Sequence, residues 1–296
     1  MQILLDDDKV WTEGYKRLPS GLLRIPSLHM IGHAKHTKAW DPLITHYHKT
    51  LEIVVLVNGH QQYFLNGSLY ALQGGNMFVT FPREVHGNGD LPQNACEFIW
   101  FQLDMEPGAN FLGLLGDMGA DLYRRIANTK MRVHNVSTQS IRLLQRAWEC
   151  LSAQDEGKRL LGYTSLISFL VESFSMQPEG TDNRAITPDI KHALGFIQQN
   201  LSVHISVVDI ADACQLSESR FKAKFKEQMG ITPLHYVNSL KIDLAKKMLK
   251  ESDICITELA FMLDFGSSNY FTSVFKQYTG YAPQDFRRAE FHMVEE

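Results

Sequence analysis

Between Ser206 and Arg288 the chain runs through one pattern twice, and few architectures accommodate such a repeat. In the first copy Val207–Ala213 reads as a short helix, and Gln215, Leu216 and Ser217 read as a turn. Glu218–Gln228 follows as a second helix carrying Phe221 and Phe225. In the second copy Ile256–Met262, residues 264–267 and Ser268–Tyr278, with Phe271 and Phe275, take the same parts. Ile210-Ala211 recurs as Leu259-Ala260 at an offset of 49, but the phenylalanines recur at an offset of 50. The extra residue therefore falls in the turn, where insertion is tolerated best. Each copy closes on Gly-x-x-Pro, at Gly230 and Pro233 and again at Gly280 and Pro283. The glycine supplies a left-handed helix cap and the proline stops the helix from resuming.

A short helix bracing a second one across a turn is a helix–turn–helix, and the second helix fits the major groove of DNA. Phenylalanines four apart mark its buried stripe. Rotating by about 100° per residue puts Ser219, Ala223 and Lys226 on the opposite face, flanked by Arg220 and Lys222. The same rotation turns Asn269, Tyr270, Ser273 and Lys276 outward in the second copy. Arg220 suits guanine and Asn269 suits adenine. Between the copies, Tyr236, Leu240, Leu244 and Met248 recur every four residues, with Val237 and Ala245 beside them. Pro233–Lys250 is thus an amphipathic helix.

Leu259-Ala260, Asp264-Phe265, Ser268-Asn269-Tyr270-Phe271, Phe275-Lys276, Tyr278-Thr279-Gly280, Pro283 and Phe286-Arg287 together resemble the signature of the AraC/XylS family of bacterial transcription regulators. The resemblance implies that one polypeptide carries both reading helices, with Pro233–Lys250 as the rod that spaces them about one DNA turn apart. This chain departs from the family at Ser273, where arginine is frequent, and Lys276 is the one base on the second reading helix. That helix is expected to dock through hydroxyl and main-chain contacts to phosphate.

A net charge of −4 argues against a nucleic-acid partner for the chain as a whole. Between Ser217 and Lys250, however, Arg220, Lys222, Lys224, Lys226, Lys241, Lys246, Lys247 and Lys250 outnumber Glu218, Glu227 and Asp243. A basic segment of this kind is an electrostatic footprint for phosphate, with Lys246 expected among the contacts. The 296 residues, 44% hydrophobic and 21% charged, suit two domains with cores of their own. Apolar runs fall short of a membrane span. Met1–Val10, with Asp6-Asp7-Asp8, lacks the features of a secretion signal. Cys96, Cys150, Cys214 and Cys255 are scattered, as expected of buried free thiols in a reducing cytoplasm.

Residues from Ile3 to Trp40 give no clear pattern. From there short β runs follow at Leu43–Tyr47, Leu51–Val57, Gln61–Leu65, Leu69–Leu72, Asn76–Phe81 and Glu97–Leu103. Asn58-Gly59, Asn66-Gly67, Gly74-Gly75 and Gly87-Asn88-Gly89 separate them, and Asn-Gly is the strongest short hairpin signal. Such strands indicate a small antiparallel barrel or jelly roll. His46-x-His48-x3-Glu52-x6-Gly59 resembles the first cupin motif, and Gly75 through Pro82 to His86 and Asn88 loosely resembles the second, with Arg83-Glu84 departing from it. The likeness implies His46, His48, Glu52 and His86 as ligands for a divalent transition metal such as Zn, Fe, Mn or Ni. In AraC-like regulators the same stretch lines a sensory pocket without metal. On that reading His46, His48, Glu52, Arg83, His86 and Trp100 bind a small effector.

Beyond Asp104 the pattern turns helical, at Phe111–Ile126, Ser137–Ala153 and the strongly apolar Arg159–Ser175. By family resemblance these helices are expected to form a homodimer. The polar stretch Gln177–Asn183 reads as a linker, and Pro188 opens the next helix. The expected fold is α+β: a cupin-like barrel with a helical extension over 1–176, a linker over 177–187, and an all-α double helix–turn–helix domain over 188–296. The expected function is a cytoplasmic, ligand-responsive, sequence-specific regulator without cofactor, activating carbohydrate-related or other catabolic genes. Its partners would be double-stranded DNA, an effector, RNA polymerase and a second copy of itself, with no membrane. The alternative is a metal-dependent cupin enzyme fused to a DNA-binding domain.

Overall fold

The computed structural model describes residues 3–4, 11–12, 14–89, 91–106, 110–129, 131–153, 155–175, 187–201, 203, 205–229 and 231–290. The polar stretch read as the linker, the acidic residues 6–8 and Gly230 lie outside the described residues.

An antiparallel sheet is built around one strand, Leu51–Leu65, which pairs with Cys96–Leu103, Ser68–Gln73, Asn76–Thr80 and His86–Gly87. Asn58-Gly59 is not a hairpin, contrary to the reading of the sequence. The strand runs straight through it, bending where Gly59 takes a φ of +81°. A Cβ on Gly59 would lie 2.5 Å from the Ala95 carbonyl oxygen, so the close approach requires glycine. The pairing with Cys96–Leu103 shifts register beside it, between Glu97 and Phe98. Asn66-Gly67 is the true hairpin, with φ of +51° and +78° and Leu65 opposite Ser68. Two strands emerge from the stretch that gave no pattern, Tyr15–Pro19 and Leu28–His36, stacked in order beyond Cys96–Leu103. The strand expected over Leu43–Tyr47 shortens to His46–Tyr47.

Period-two alternation gives the sheet two apolar faces. Leu51, Ile53, Val55, Ile99 and Phe101 belong to one core cluster, with Leu166, Phe169 and Leu170 of the helix Glu156–Ser175. Val54, Leu56, Phe78, Phe98 and Trp100 fill the barrel interior. The helix expected over Phe111–Ile126 breaks at Leu112, whose φ is +56°, and at Gly116, whose φ is +63°; it begins at Asp117 and ends at Ala127. Thr138–Ser152, capped by Ser137, packs antiparallel on Glu156–Ser175. A Cβ on Gly162 would sit 2.8 Å from Leu151, so the glycine sets the closeness of that pair. Leu160, Leu161 and Val171 of the second helix remain exposed.

The helical domain follows the expected elements to within a residue or two, and a short helix, Pro283–Arg288, follows the second reading helix. Its two turns are copies in detail. Gln215 and Asp264 take left-handed φ of +56° and +55°. The Leu216 amide donates to Ala211 at 3.0 Å, and the Phe265 amide donates to Ala260 at 2.9 Å. The extra residue of the second copy is Gly266, at a φ of +69°. Even the caps correspond: the Ser206 hydroxyl accepts from the Asp209 amide, and the Cys255 sulfur accepts from the Glu258 amide. Cys96 and Cys214 are buried thiols as expected, Cys150 is half-buried, and Cys255 is exposed as a consequence of its capping position. The overall fold is α+β.

Candidate nucleic-acid interface and sensor pocket

The reading helices are Glu218–Met229 and Ser268–Thr279. Phe221, Phe225, Phe271 and Phe275 are fully buried, which fixes the rotation of both helices. Ser219, Arg220, Lys222, Ala223 and Lys226 are exposed on the first, and Asn269, Tyr270, Ser273 and Lys276 on the second. Each helix begins on a serine whose hydroxyl accepts an amide of the first turn, Ser217 from Arg220 at 3.4 Å and Ser267 from Tyr270 at 3.2 Å. A helix start leaves its other first-turn amides without partners inside the helix, and such amides are in general an anion-binding feature.

Lys246 is a correction. It is 1% exposed, and its Nζ donates to the Pro92 carbonyl of the barrel domain at 2.9 Å and to Asp243 Oδ1 at 3.1 Å. A buried ammonium held between two protein acceptors has no route to a phosphate. Lys241 is buried too, donating at 3.4 Å to the carbonyl and to the carboxylate of Asp264 in the second turn. Lys224 is partly buried against Asp189 at 2.6 Å. The basic footprint therefore shrinks to Arg220, Lys222, Lys226, Lys247 and Lys250 along this segment, all exposed.

Within the barrel the sequence-derived cluster does assemble. His46, His48 and His86 are buried and offer ring nitrogens within 4.8 Å of one another. Nε2 of His46 and of His48 are 3.1 Å apart. Glu52 Oε1 lies 3.3 Å from His48 Nε2, and its Oε2 lies 3.1 Å from His86 Nε2. Burial favours the neutral carboxyl of Glu52, but the charge of His48 and hydrogen bonds from His48 and His86 outweigh it and hold its pKa well below the usual range. Burial, aided by His86, pushes His46 down to about 4.

The donor set has a further property. His46 Nδ1 donates to the Ile44 carbonyl at 2.7 Å, and His86 Nδ1 donates to the Glu84 carbonyl at 2.9 Å. In a neutral ring that leaves Nε2 as a lone pair. His86 Nε2 lies 3.1 Å from a carboxylate oxygen of Glu52, a contact that is favourable with either a proton or a metal cation between the two atoms. Main-chain carbonyls that fix the tautomer and aim Nε2 inward are the usual outer shell of metal-binding histidines. Three imidazoles and a carboxylate fit a divalent transition metal.

Gln102 was missed from sequence. Its Nε2 donates to Glu52 Oε1 at 3.2 Å and its Oε1 accepts from Thr50 at 3.1 Å. The signal was available, since Gln102 lies two residues from Trp100 and so on its face of the strand. Trp100 does face the barrel interior, its ring tilted 32° against that of Tyr15 with centroids 4.5 Å apart. Arg83 is a second correction: its side chain is exposed in a turn, with φ of +67°, and only its amide joins the site, donating to the His48 carbonyl at 2.7 Å. The charge anchored there is Glu84, paired with Arg132 at 2.6 Å.

Two groove-sized helices presented beside a barrel with a convergent polar interior define a DNA-binding regulator that carries its own sensor domain. The AraC-like ligand binding domain family matches residues 28–170 and the helix-turn-helix domain family matches residues 210–289. The chain belongs to the AraC/XylS family of transcriptional regulators. It is 25% identical over 256 residues to the HTH-type transcriptional activator RhaS of Salmonella schwarzengrund (strain CVM19633), covering 84% of this chain and 89% of that one. RhaS of Salmonella arizonae is 26% identical over 250 residues, covering 82% and 87%. Among solved structures, ToxT from Vibrio cholerae O395 is 12% identical with a TM-score of 0.31, covering 94% of this chain and 98% of that one. An AraC-type regulator from Chromobacterium violaceum is 23% identical with a TM-score of 0.33, covering 34% and 90%. No helix among the described residues is long and apolar enough to cross a membrane.

Proposed function

We propose that this regulator activates transcription, as the RhaS relatives are named for doing, by placing both reading helices in successive major grooves of one operator. The observation that carries this reading is the pair of matched turns with both outward faces exposed. Phosphate contacts from Lys222, Lys226 and neighbouring amides supply salt-sensitive affinity, and Arg220 and Asn269 supply discrimination. Ser219, Ala223, Tyr270, Ser273 and Lys276 complete the two surfaces. The operator is to be found by selection from a random duplex pool. On the selected site Arg220→Ala is expected to cost about 1–3 kcal/mol, with a much smaller loss on random DNA. Equal losses on both would reduce Arg220 to a phosphate contact.

The effector pocket is the histidine cluster with Gln102 and Trp100. In this proposal His46, His48, Glu52 and His86 hold a divalent transition metal, which would supply an open coordination position for an oxygen-rich effector such as a carbohydrate or small acid. Purified protein is expected to take up one equivalent of zinc or nickel, to gain about 2.7 kcal/mol of stability at a hundredfold excess over Kd, and to lose both properties in His48→Ala. Metal-independent stability in both proteins would leave the pocket to an organic effector alone. The exposed Leu160, Leu161 and Val171 are the proposed face of a homodimer, and RNA polymerase in the cytoplasm is the proposed downstream partner. Light scattering at micromolar concentration should give twice the chain mass; a monomer would remove the dimer from the scheme.

A further inference from the structure

The barrel does not merely precede the DNA-binding domain; it grips it. At the end of the second reading helix, the carbonyls of Tyr278 and Thr279 have no partners within the helix, as is general for a last turn. The barrel supplies them: the Ala95 amide donates to Tyr278 at 2.8 Å, and the Ala39 amide donates to Thr279 at 2.6 Å. Gly280 passes so close that a Cβ there would stand 2.1 Å from the Thr37 carbonyl oxygen. Leu69 and Ala71 of the barrel join the core cluster of the first unit.

Between these contacts lies an aromatic stack drawn from both domains. His60, at the bend of the long strand, lies over Tyr278 with centroids 4.2 Å apart and planes 23° apart. His235, in the first turns of the connecting helix, stands 4.4 Å from His60 and 5.5 Å from Tyr278. The buried Nδ1 of His60 has no hydrogen-bond partner among the described residues. The ionisable groups on the enclosing elements include Lys38, over the Tyr281 ring, Cys96, Glu97 held by His33 and Lys35, Lys241 paired with Asp264, the Asp243–Lys246 pair and Lys276. Asp243 acts on Tyr278. Beyond burial, the group that acts on His60 is the second imidazole, and among the described residues no carboxylate acts on either ring to stabilise a positive charge.

We propose that this stack is a proton-sensitive latch: it closes the barrel onto the DNA-binding domain while both imidazoles are neutral, and mild acid releases it. Burial is the first cause, since it disfavours the charged rings. It pushes His60, together with its neighbour His235, down to about 3, and pushes His235 down to about 4. A cation over the Tyr278 face gains some attraction, but two imidazolium rings at 4.4 Å repel. In the released state each ring titrates near its free value of about 6.5. The docked pKa values are depressed, so docking is at full strength above about pH 6.5 and weakens as the pH falls below it. Each histidine then contributes about a tenfold loss between roughly pH 7.5 and pH 5.5, and the two together about a hundredfold.

The test is hydrogen exchange on the full chain, read at the Ala39 and Ala95 amides, which are protected only by docking. After correction for intrinsic rates and normalisation to Ile99 in the barrel core, their protection is expected to fall about a hundredfold between about pH 7.5 and about pH 5.5. The double variant His60→Gln/His235→Gln is expected to keep protection constant across that range. Equal protection of the native chain at both pH values, or an unchanged loss in the double variant, overturns the latch. If the double variant fails to dock even at about pH 7.5, His235→Phe keeps a ring without an ionisable nitrogen. That variant should lose about tenfold, and a hundredfold loss or none at all would refute the proposal.

Discussion

Lys246→Ala is expected to destabilise the folded chain by about 3–5 kcal/mol, and to leave the salt dependence of DNA binding where it was. The side chain is 1% exposed and joins two domains through Pro92 and Asp243. Removing one member of a buried pair strands the other charge in a poorly solvating site, and that loss dominates the cost. Burial already pushes Asp243 up, with Lys246 opposing the rise, so the stranded carboxyl would be still harder to keep ionised. The double variant Lys246→Met/Asp243→Asn should recover most of the loss, because replacing both charges by groups of similar volume is often close to neutral. Urea unfolding reads the first effect, and DNA titration over a range of salt reads the second. A phosphate contact would behave in the opposite way, with near-native stability and a slope flatter by about one unit. That outcome would return Lys246 to the DNA surface.

The same residue marks where the sequence stopped being legible. A helical wheel drawn on Pro233–Lys250 assumes one buried face and one wet face. This helix is covered from three sides, by the first unit through Tyr236 and Val237, by the second through Ile242, Ala245 and Leu249, and by the barrel through Pro92. A census of lysines cannot see the third body. The His60, His235 and Tyr278 stack was invisible for the same reason, since its members are brought together from two domains.

Where information is local, it was plain. The repeated turns depend on residues within one or two helical periods, so the offset of 49 and its slip to 50 pointed directly to the insertion at Gly266. His46-x-His48-x3-Glu52 was equally readable, because its members sit on consecutive strand segments and His86 alone had to be brought from further away. Leu28–His36 went unread because Gly32 and the histidines interrupt its alternation. The glycine is there for a partner far along the chain: a Cβ on Gly32 would stand 2.2 Å from the Trp100 ring. Gly59 misled in the opposite sense. Its Asn-Gly signal is that of a tight hairpin, but its positive φ serves a bend against Ala95.

Two substitutions two residues apart on the second reading helix should separate fold from recognition. Phe271→Ala is expected to cost about 3–5 kcal/mol of stability, the range for emptying a large aromatic site in a packed core. Phe271 is fully buried, with Phe265 and Phe275 at ring centroids of 5.2 Å and 5.6 Å, so little can relax into the space it leaves. A loss of that size is a large share of the total stability of a typical domain, and DNA binding should fail with it. Asn269→Ala lies on the opposite side of the same helix, exposed. Its effect on unfolding should stay within about 0.5 kcal/mol, while binding to the selected operator weakens by about 1–3 kcal/mol. Unfolding followed by circular dichroism and titration of labelled duplex give the two numbers independently. If Asn269→Ala were silent on the operator while Phe271→Ala behaved as expected, the second unit would act as a structural brace, and discrimination would fall to the first unit and Arg220.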